Sequence, residues 1–203
     1  IVYGEEASPR DVMQPMVTED GVLIQGFFPG TDAAEVVVGK TSYPMILEDE
    51  AGYYAVMLPL KRIPEYRFRV TRGSMKKTFY DAYECPCQIT EEEEKAFCAG
   101  VYYKAYEKLG AHPGICGGVK GTYFAVWAPN AIRVSVVGDF DRWDGRRLPM
   151  HRMPMSGIFE LFVPGVQAGV SYQYEIKIKG GNVQRKSDPY GLSLIHISEP
   201  TRP

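Results

Sequence analysis

Cysteine, tryptophan and an excess of either charge are scarce in this chain of 203 residues. It has four cysteines and two tryptophans, and its formal net charge is −2 at pH 7. So small a charge creates no basic field, and we therefore expect neither nucleic acid nor a membrane surface as a partner. The sequence also lacks any run approaching the ~18 consecutive apolar residues of a membrane-spanning helix. Its first residues show no signal-peptide pattern.

The cysteines are irregularly spaced, at Cys85, Cys87, Cys98 and Cys116. Such a sparse set in a chain of this size indicates reduced thiols and a cytoplasmic location. A zinc site is the alternative, but a C-P-C motif followed by two distant cysteines does not match the paired C-x2-C ligands of zinc knuckles. We therefore expect no metal site and no other cofactor.

The second half of the chain repeats the first. Residues 21–39 (GVLIQGFFPGTDAAEVVVG) align with residues 121–139 (GTYFAVWAPNAIRVSVVGD), including a glycine, a proline and a pair of valines at matching places. Three later segments align in the same order, namely 52–59 with 157–164, 66–70 with 172–176 and 81–83 with 188–190. The sequence therefore contains two copies of one ~70-residue unit, a size near the lower limit for an independent core.

Each copy has the pattern of short antiparallel strands. In RVSVVGDF (133–140) the alternating valines face one way, while Arg133 and Ser135 face the other. In YQYEIKIK (172–179) aromatic and aliphatic residues alternate with polar ones such as Glu175. Strands with one buried and one solvent-exposed face, punctuated by glycine and proline, are typical of antiparallel sandwiches. We therefore predict an all-β fold of two tandem sandwiches.

A short helix is predicted between the two copies, at about residues 91–98 of the segment ITEEEEKAFCAG (89–100). Thr90 and Glu93 form a capping-box pattern, the acidic first turn suits the helix dipole, and Gly100 is a suitable C-terminal stop. The run of four glutamates could mark a metal or partner site. A solvent-exposed start of the helix is the simpler interpretation.

Trp127 and the aromatic residues of the linker are predicted to be structural. Trp127 lies in the middle of an apolar strand and aligns with Phe27, which favours a place in the core or at an interface. Residues 101–114 carry several tyrosines and should include a helical turn around 103–109. We expect these tyrosines to pack on one or both sandwiches.

The second copy has gained the loop FDRWDGRR (140–147), in which Trp143 lies between Arg142 and Asp144. The first copy has no tryptophan at the equivalent place, so core packing of the repeat does not require this side chain. One interpretation is a platform for sugar, because the apolar faces of pyranose rings stack on an exposed indole. The other is that the indole folds back on its own sheet and donates its N–H to the backbone. The spacing leaves both open.

The ordered segments YEKLGAHPG, GVKGTYFAVWAPNAIRVSVVGDFDRWDGRRLPM, GIFELFVPG, YQYEIK and KSDPYG resemble the N-terminal region of bacterial 1,4-α-glucan (glycogen) branching enzymes. The resemblance covers about residues 15–191 and is strongest over 106–191. In the first copy the family's Asp-Pro-Tyr turn appears as Asp-Ala-Tyr at 81–83, and its Leu-Gly-x-His approach as Met-Gln-Pro-Met at 13–16.

The resemblance implies two immunoglobulin-like sandwiches of the early-set type joined by a short helical linker. It assigns residues 1–88 to a branching-enzyme N-terminal domain, 89–114 to the linker and 115–192 to a carbohydrate-binding module of family 48. The remaining segment, SLIHISEPTRP (193–203), does not continue the family pattern and looks like a translated sequencing adapter. A genuine polar tail is the alternative for this segment.

In this family a (β/α)8 barrel of glycoside hydrolase family 13 follows the sandwiches, cleaves an α-1,4 linkage and transfers the chain to a 6-hydroxyl. A retaining mechanism of that kind needs two carboxyl groups ~5 Å apart. The barrel's motifs have no counterpart in this sequence, and a barrel needs ~250 residues. The resemblance therefore implies a non-catalytic fragment without catalytic residues, and it leaves open whether the chain is an enzyme in its own right.

By the same resemblance, Trp143 matches the tryptophan that stacks on glucose rings in glycogen-binding relatives. Asp141, Arg142 and Asp144 would then bind the hydroxyls of the glucan, with Asp141 standing where the family has an amide. Glu175 stands where those relatives have a lysine, and their second tryptophan has no counterpart here.

The implied partners are α-glucan (glycogen) and the catalytic barrel of the parent chain. Asp188, Pro189 and Tyr190 would form the junction with that barrel. Two alternatives remain open from the sequence: a glucan-binding regulatory subunit, and the N-terminal module of a debranching enzyme.

Overall fold

The computed structural model describes residues 8–191 as two β-sandwiches in sequence, with a short helix before the first and another between them. All four sheets contain only antiparallel strand pairs, which confirms the predicted all-β, immunoglobulin-like fold class. The predicted foreign tail at 193–203 lies outside the described residues. No helix between residues 8 and 191 combines the length and apolar character needed to cross a bilayer.

The first sandwich follows helix α1 (Pro9–Met13) and consists of two four-stranded sheets. Its strands are β1 (Met16–Val17), β2 (Val22–Phe27), β3 (Ala33–Val38), β4 (Thr41–Pro44), β5 (Ile46–Asp49), β6 (Tyr53–Leu58), β7 (Arg67–Arg72) and β8 (Met75–Phe79). One sheet has the order β1-β2-β6-β5 and the other β4-β3-β7-β8. Buried aliphatic and aromatic side chains from both sheets form the core between them.

The second sandwich packs a four-stranded sheet against a three-stranded one. Its strands are β9 (Gly110–Cys116), β10 (Val119–Trp127), β11 (Ala131–Gly138), β12 (His151–Arg152), β13 (Ile158–Pro164), β14 (Tyr172–Ile178) and β15 (Val183–Lys186). The sheets have the orders β12-β13-β10-β9 and β11-β14-β15. Strand β9 lies on both sides of the predicted boundary at 114/115, and the domain boundaries stay predictions.

The two sandwiches share one topology, as the sequence repeat predicts. The pairs β2–β6, β3–β7 and β7–β8 of the first correspond to β10–β13, β11–β14 and β14–β15 of the second, and all are antiparallel. The alternation of apolar residues explains the shared arrangement, because each strand must turn its apolar face toward the opposite sheet.

A glycine beside a proline turn recurs in both copies. Gly52 has φ +108°, and a Cβ there would lie 2.7 Å from Cα of Pro29. Gly157 has φ +71°, and its Cβ would lie 2.7 Å from Cα of Pro129. At both places the left-handed backbone and the close approach require glycine. The repeat therefore preserves a backbone contact as well as a hydrophobic pattern.

The two sandwiches pack against each other through a common hydrophobic cluster. Met13, Phe27 and Tyr83 of the first half are buried in the same cluster as the core of the second sandwich. The Tyr83 hydroxyl donates to the carbonyl of Pro149 at 2.9 Å. The Glu160 carboxylate accepts from the backbone N–H of residues 88 and 89. The interface is therefore continuous with the core of the second sandwich.

The linker helix α2 (Glu91–Cys98) begins as the sequence predicts. Thr90 and Glu93 make both hydrogen bonds of a capping box. The run of glutamates is not uniformly solvent-exposed, however, because Glu94 is buried. Its Oε1 accepts from the backbone N–H of Met155 and from the N–H and hydroxyl of Ser156, at 2.8–2.9 Å. Glu94 therefore attaches the linker to the second sandwich.

The prediction that the linker tyrosines pack on the sandwiches is wrong for two of them. Tyr103 is 84% exposed and Tyr106 is 59% exposed. Tyr102 is half-buried and donates its hydroxyl hydrogen to Glu93 at 2.9 Å. The predicted helical turn is a single 3-10 turn at Ala105–Glu107, and none of its three residues is buried.

The prediction of four reduced thiols is wrong for Cys85 and Cys116, whose sulfur atoms are bonded. Cys85 lies in the segment that leaves the first sandwich, and Cys116 ends β9. Their Cα atoms are 6.2 Å apart, a separation that a disulfide spans. Spacing alone could not find this pair, because folding brings together positions that are 31 residues apart. Cys87 and Cys98 are free thiols.

Candidate functional site

The inserted loop lies at one end of the second sandwich and covers part of a sheet face. It leaves β11 after Gly138 and returns at Pro149, which bridges to Ser135. Arg133 is 6% exposed and Ser135 fully buried, so the prediction that these residues face solvent is wrong. The alternation itself is correct, but the loop that follows the strand folds over its polar face.

Asp141 holds the turn of this loop. Its Oδ1 accepts from the backbone N–H of Gly138 at 2.8 Å and of Trp143 at 2.9 Å. These bonds support a left-handed backbone at two consecutive non-glycine residues, Arg142 (φ +64°) and Trp143 (φ +60°). Such residues cost on the order of 1–3 kcal/mol each, and they persist only where the surroundings determine the conformation. The loop is therefore held in one shape.

The Asp141 side chain is buried, and its Oδ2 has no hydrogen-bond partner among residues 8–191. Burial raises the pKa of Asp141 to about 6, against the lowering effect of the two backbone N–H groups. Asp141 was predicted to contact sugar together with Trp143 and its neighbours. In the structure it lies inside the turn, beneath those residues.

Trp143 is half-buried beside β15. Its position is intermediate between the two predicted alternatives, an exposed platform for sugar and an indole folded back on its own sheet. The indole N–H donates to Asp139 Oδ1 at 2.8 Å, and so to a side chain instead of the backbone. The guanidinium carbon of Arg185 lies 5.9 Å from the centre of the indole ring system. Arg185 Nη2 also donates to the Trp143 carbonyl at 2.8 Å. Asp139 and Arg185 thus fix the ring while part of it stays accessible.

Asp144 forms a bidentate ion pair with Arg146. Arg146 Nε and Nη2 donate to the two carboxylate oxygens at 2.9 Å each, and these hydrogen bonds lower the pKa of Asp144. Arg147 Nε lies 3.7 Å from the same carboxylate. Arg142, the residue before Trp143, is exposed. Of the four predicted sugar-binding residues, Arg142 and Trp143 thus present accessible surface, while Asp144 is occupied by arginine.

The loop rests on an ion pair that the sequence analysis missed. Arg133 Nη2 donates to Glu175 Oε1 at 2.7 Å, and both side chains are largely buried. Gly145 packs directly on this carboxylate, since a Cβ at residue 145 would lie 2.0 Å from Glu175 Oε1. The D-G dipeptide in the loop was the only signal, because glycine marks a close approach as well as a turn. Glu175 therefore supports the loop from below.

The predicted junction residues form a hydrogen-bonded turn that occurs in both copies. The Asp188 carboxylate accepts from the hydroxyl of Tyr172 at 2.5 Å and from the N–H of Tyr190 at 2.8 Å. In the first copy, Asp81 accepts in the same way from Tyr66 and from Tyr83. Tyr83 is buried between the sandwiches, whereas Tyr190 is 45% exposed and Pro189 is exposed.

Trp127 is 55% exposed, so a place in the core is wrong, whereas the predicted alternative of an interface fits its contact with Phe97 of the linker helix. It occupies the final position of β10, where the side chain points away from the core. Its indole N–H donates to the carbonyl of Ser156 at 2.9 Å, and the ring of Phe97 meets it edge-on with centroids 5.9 Å apart. Both tryptophans of the chain therefore have accessible ring surface, at different places on the second sandwich.

The described residues contain no group of three or more His, Cys, Asp or Glu side chains arranged for a metal ion. The chemistry that the site offers is recognition: an aromatic ring, guanidinium groups and a rigid backbone.

Two protein-family descriptions match successive parts of the chain. Residues 1–83 match "alpha-1,4-glucan branching enzyme GlgB, N-terminal domain". Residues 108–191 match "Carbohydrate-binding module 48 (Isoamylase N-terminal domain)".

Curated relatives show the same similarity along the whole chain. The chain is 39% identical over 200 residues to the 1,4-alpha-glucan branching enzyme GlgB of Nostoc sp. (strain PCC 7120 / SAG 25.82 / UTEX 2576), covering 95% of the chain and 26% of the relative. It is 39% identical over 207 residues to the enzyme of the same name from Synechococcus sp. (strain JA-3-3Ab), covering 94% and 27%. The chain thus spans about a quarter of the length of these relatives.

Among solved structures, the chain is similar to a pullulanase complexed with maltotetraose from Anoxybacillus sp. LM18-11. The identity is 20%, the TM-score is 0.35, and the match covers 83% of the chain and 23% of the pullulanase. A score this low supports no conclusion about function.

Proposed function

Because residues 1–83 belong to the family of branching-enzyme N-terminal domains and residues 108–191 to carbohydrate-binding module family 48, we propose that the chain binds α-glucan through the Trp143 loop. The chain is the N-terminal region of a 1,4-α-glucan branching enzyme. In this proposal it holds glucan for a catalytic domain that acts elsewhere in the longer protein.

The observation that carries the proposal is the way in which Trp143 is held. The hydrogen bond from its indole N–H to Asp139 and the contact with Arg185 fix the ring at the end of the sandwich. A pyranose ring has an apolar face of C–H groups, and such a face packs on the flat surface of an indole. Because the ring is already fixed, little side-chain entropy is lost when glucan binds.

The loop residues have different roles in the proposed binding of glucan. Trp143 stacks on a glucose ring, and Arg142, exposed at its side, donates hydrogen bonds to the hydroxyls. Asp141 keeps the backbone in shape from within the turn. Asp144 orients Arg146 at the edge of the site.

Electrophoresis in gels that contain glycogen tests this proposal. Migration of the chain should be retarded, and the Trp143→Ala variant should lose most of the retardation while migrating normally without glycogen. Trp127→Ala is the matched control, since it removes an indole that has more exposed surface at a different place. If Trp127→Ala lost the retardation while Trp143→Ala kept it, the binding site would lie outside the Trp143 loop.

Within the longer protein, we propose that Asp188, Pro189 and Tyr190 contact the catalytic barrel. The exposed side of Tyr190 offers an aromatic surface next to a turn that Asp188 makes rigid. The barrel would then cleave α-1,4 linkages and form α-1,6 branches on the glucan that the Trp143 loop holds. A Tyr190→Ala change in the full-length enzyme should lower thermal stability more than it does in the isolated chain.

Of the two alternatives left by the sequence, neither gains support. A debranching-enzyme module would not account for the match of residues 1–83 to branching-enzyme N-terminal domains. A regulatory subunit would not account for 39% identity to branching enzymes along 95% of the chain.

We also propose that the chain works in the cytoplasm, a location consistent with its two free thiols. The Cys85–Cys116 disulfide is an exception to the reduced state that is usual for cytoplasmic cysteines. Fractionation of cells that produce the longer protein tests this location: recovery with the cytoplasmic fraction supports the proposal, and recovery outside the cytoplasm contradicts it.

A further inference from the structure

A cleft of about 460 Å³ lies where the two sandwiches meet beside the Trp143 loop. Pro29 and Arg72 line it from the first sandwich, and Arg142, Arg146 and Arg147 line it from the loop of the second. Four arginines from two sandwiches therefore face one space. Asp144 is the acidic residue among those that line it.

Two of the arginines converge on one neutral acceptor. Arg72 Nη2 donates to the carbonyl oxygen of Pro29 at 2.7 Å, and Arg147 Nη2 donates to the same oxygen at 3.0 Å. Desolvation lowers the pKa of Arg147, and the charges of Arg72 and Arg142 lower it further. Like charges that share a carbonyl repel each other, so an anion placed between them would relieve the repulsion.

The negative charge already present in the cleft does not balance the arginines. Four guanidinium charges against the one Asp144 carboxylate leave an excess of three positive charges among the lining residues (4 − 1 = 3). Both oxygens of Asp144 are bonded to Arg146. Arg147 Nε is buried and lies 3.7 Å from the Asp144 carboxylate, whereas Arg142 and Arg146 are exposed. The exposed guanidinium groups and the excess charge are therefore available to a ligand.

We propose that this cleft binds a phosphate monoester carried by a sugar. A phosphate group has a charge of about −1.5 to −2 and three strong acceptor oxygens, which suits several converging guanidinium groups. Planar guanidinium forks bind phosphate with two parallel hydrogen bonds. The volume is larger than a phosphate group requires and lies in the range of small-molecule sites, ~300–1,000 Å³, which leaves room for the sugar.

The proposal goes beyond the binding of neutral glucan at Trp143. The ligand would bridge Arg72 of the first sandwich and Arg146 and Arg147 of the second. It would therefore stabilise the packing of the two units as well as occupy the cleft, since a ligand that binds only the folded state raises stability. The phosphate belongs either to a free sugar phosphate or to an ester on a glucan chain.

Titration calorimetry and thermal unfolding with defined phosphate compounds test the proposal. Glucose 6-phosphate, inorganic phosphate and maltodextrin 6-phosphate are compared with glucose and maltodextrin at matched ionic strength. We expect the phosphate compounds to bind and to raise the unfolding temperature, and glucose to do neither. Tighter binding of glucose 6-phosphate than of maltodextrin 6-phosphate assigns a free sugar phosphate, and the reverse order assigns a phosphate on glucan.

Two charge-removing variants and one matched control locate the site. Arg72→Gln and Arg146→Gln should each weaken phosphate binding about tenfold or more, the loss expected for one charge-assisted hydrogen bond. Arg62→Gln removes an exposed arginine of the connection between β6 and β7, which is not among the residues that line the cleft, and should leave binding unchanged. An equal loss in all three would overturn the proposal, because it would show attraction to net charge alone.

The Trp143→Ala variant distinguishes phosphate binding in the cleft from glucan binding at the loop. Trp143→Ala should keep phosphate binding even where glycogen binding is lost, because the indole is not among the residues that line the cleft. Arg146 is exposed and, among residues 8–191, its side chain pairs with Asp144 alone, so Arg146→Gln tests the cleft without disturbing the core. Absence of binding heat and of any shift in unfolding temperature with every phosphate compound would overturn the proposal.

Discussion

The indole N–H of Trp143 donates to the carboxylate of Asp139 at 2.8 Å, across a single turn of the loop. This bond leaves the hydrophobic surface of the ring as the part that can meet a ligand. It also fixes the ring in a loop whose backbone is left-handed at two successive residues. The account of glucan binding depends on this relationship, because a freely rotating indole would bind sugar with a larger entropic cost.

Asp139→Ala should weaken glucan binding by up to about tenfold, because the released indole must then be immobilised on binding at a cost of about 0.5–1.5 kcal/mol. Asp139 is exposed, so the loss should come without a large change in unfolding temperature. Asp139→Asn keeps an acceptor oxygen and should retain most of the affinity. Titration calorimetry with a maltodextrin compares the three chains, and equal affinity in the alanine variant and the parent would contradict the role of the bond.

The raised pKa of Asp141 predicts that the stability of the fold depends on pH. Burial raises its pKa from 3.8 to about 6 in the folded chain, so the folded state holds this proton more tightly than the unfolded state. The stabilising contribution is complete below pH ~4 and is lost as the pH rises through ~6, with a total of at most about 3 kcal/mol.

The amide of Asp141→Asn can accept the same two backbone hydrogen bonds but does not titrate. Unfolding free energies of the parent and the variant, measured between pH ~4 and ~7, isolate the effect of this one carboxyl group. The parent should lose stability relative to the variant over that range. Parallel curves would show that the group titrates normally.

Gly52→Ala and Gly157→Ala should be destabilising by about 2–4 kcal/mol each. Both changes place a Cβ 2.7 Å from a proline Cα and force a side chain onto a left-handed backbone. Gly180→Ala is the control. Its φ is +97°, no atom of the described residues lies within 4 Å of the added Cβ, and the change should cost only the backbone strain of about 1–2 kcal/mol. Urea unfolding measures all three, and equal losses would contradict the close approach in the two copies.

Glu94→Ala should destabilise the chain by about 2–3 kcal/mol, because it leaves buried backbone N–H groups without an acceptor. Glu92→Ala, two residues away in the same helix and exposed, should change stability by less than about 0.5 kcal/mol. Chemical denaturation of the two variants tests this. Similar small effects would show that the linker helix is not attached through Glu94.

Much of the architecture could be predicted from residues alone. The repeat fixed the correspondence of strands, because glycine, proline and valine recur at the same spacing in both halves. The capping box of Thr90 and Glu93 located the start of the helix to the residue. These features depend on neighbours in sequence, which is why the sequence reveals them.

What could not be predicted depends on contacts between distant segments. Arg133 has the alternation of an exposed position but lies beneath the loop and pairs with Glu175. Trp127 has the setting of a core residue but ends its strand about half exposed, against Phe97 of the linker helix. The bond between Cys85 and Cys116, and the convergence of arginines from two sandwiches, likewise arise only once the units have packed together.

Fluorescence of a single tryptophan tests glucan binding by Trp143 most directly. The chain has two tryptophans, so Trp127→Phe leaves Trp143 as the only indole. Titration of that variant with maltodextrin should produce a saturable change in emission, and glucose 6-phosphate should not reproduce it. Glycogen binding by the variant without any change in Trp143 emission would contradict the account.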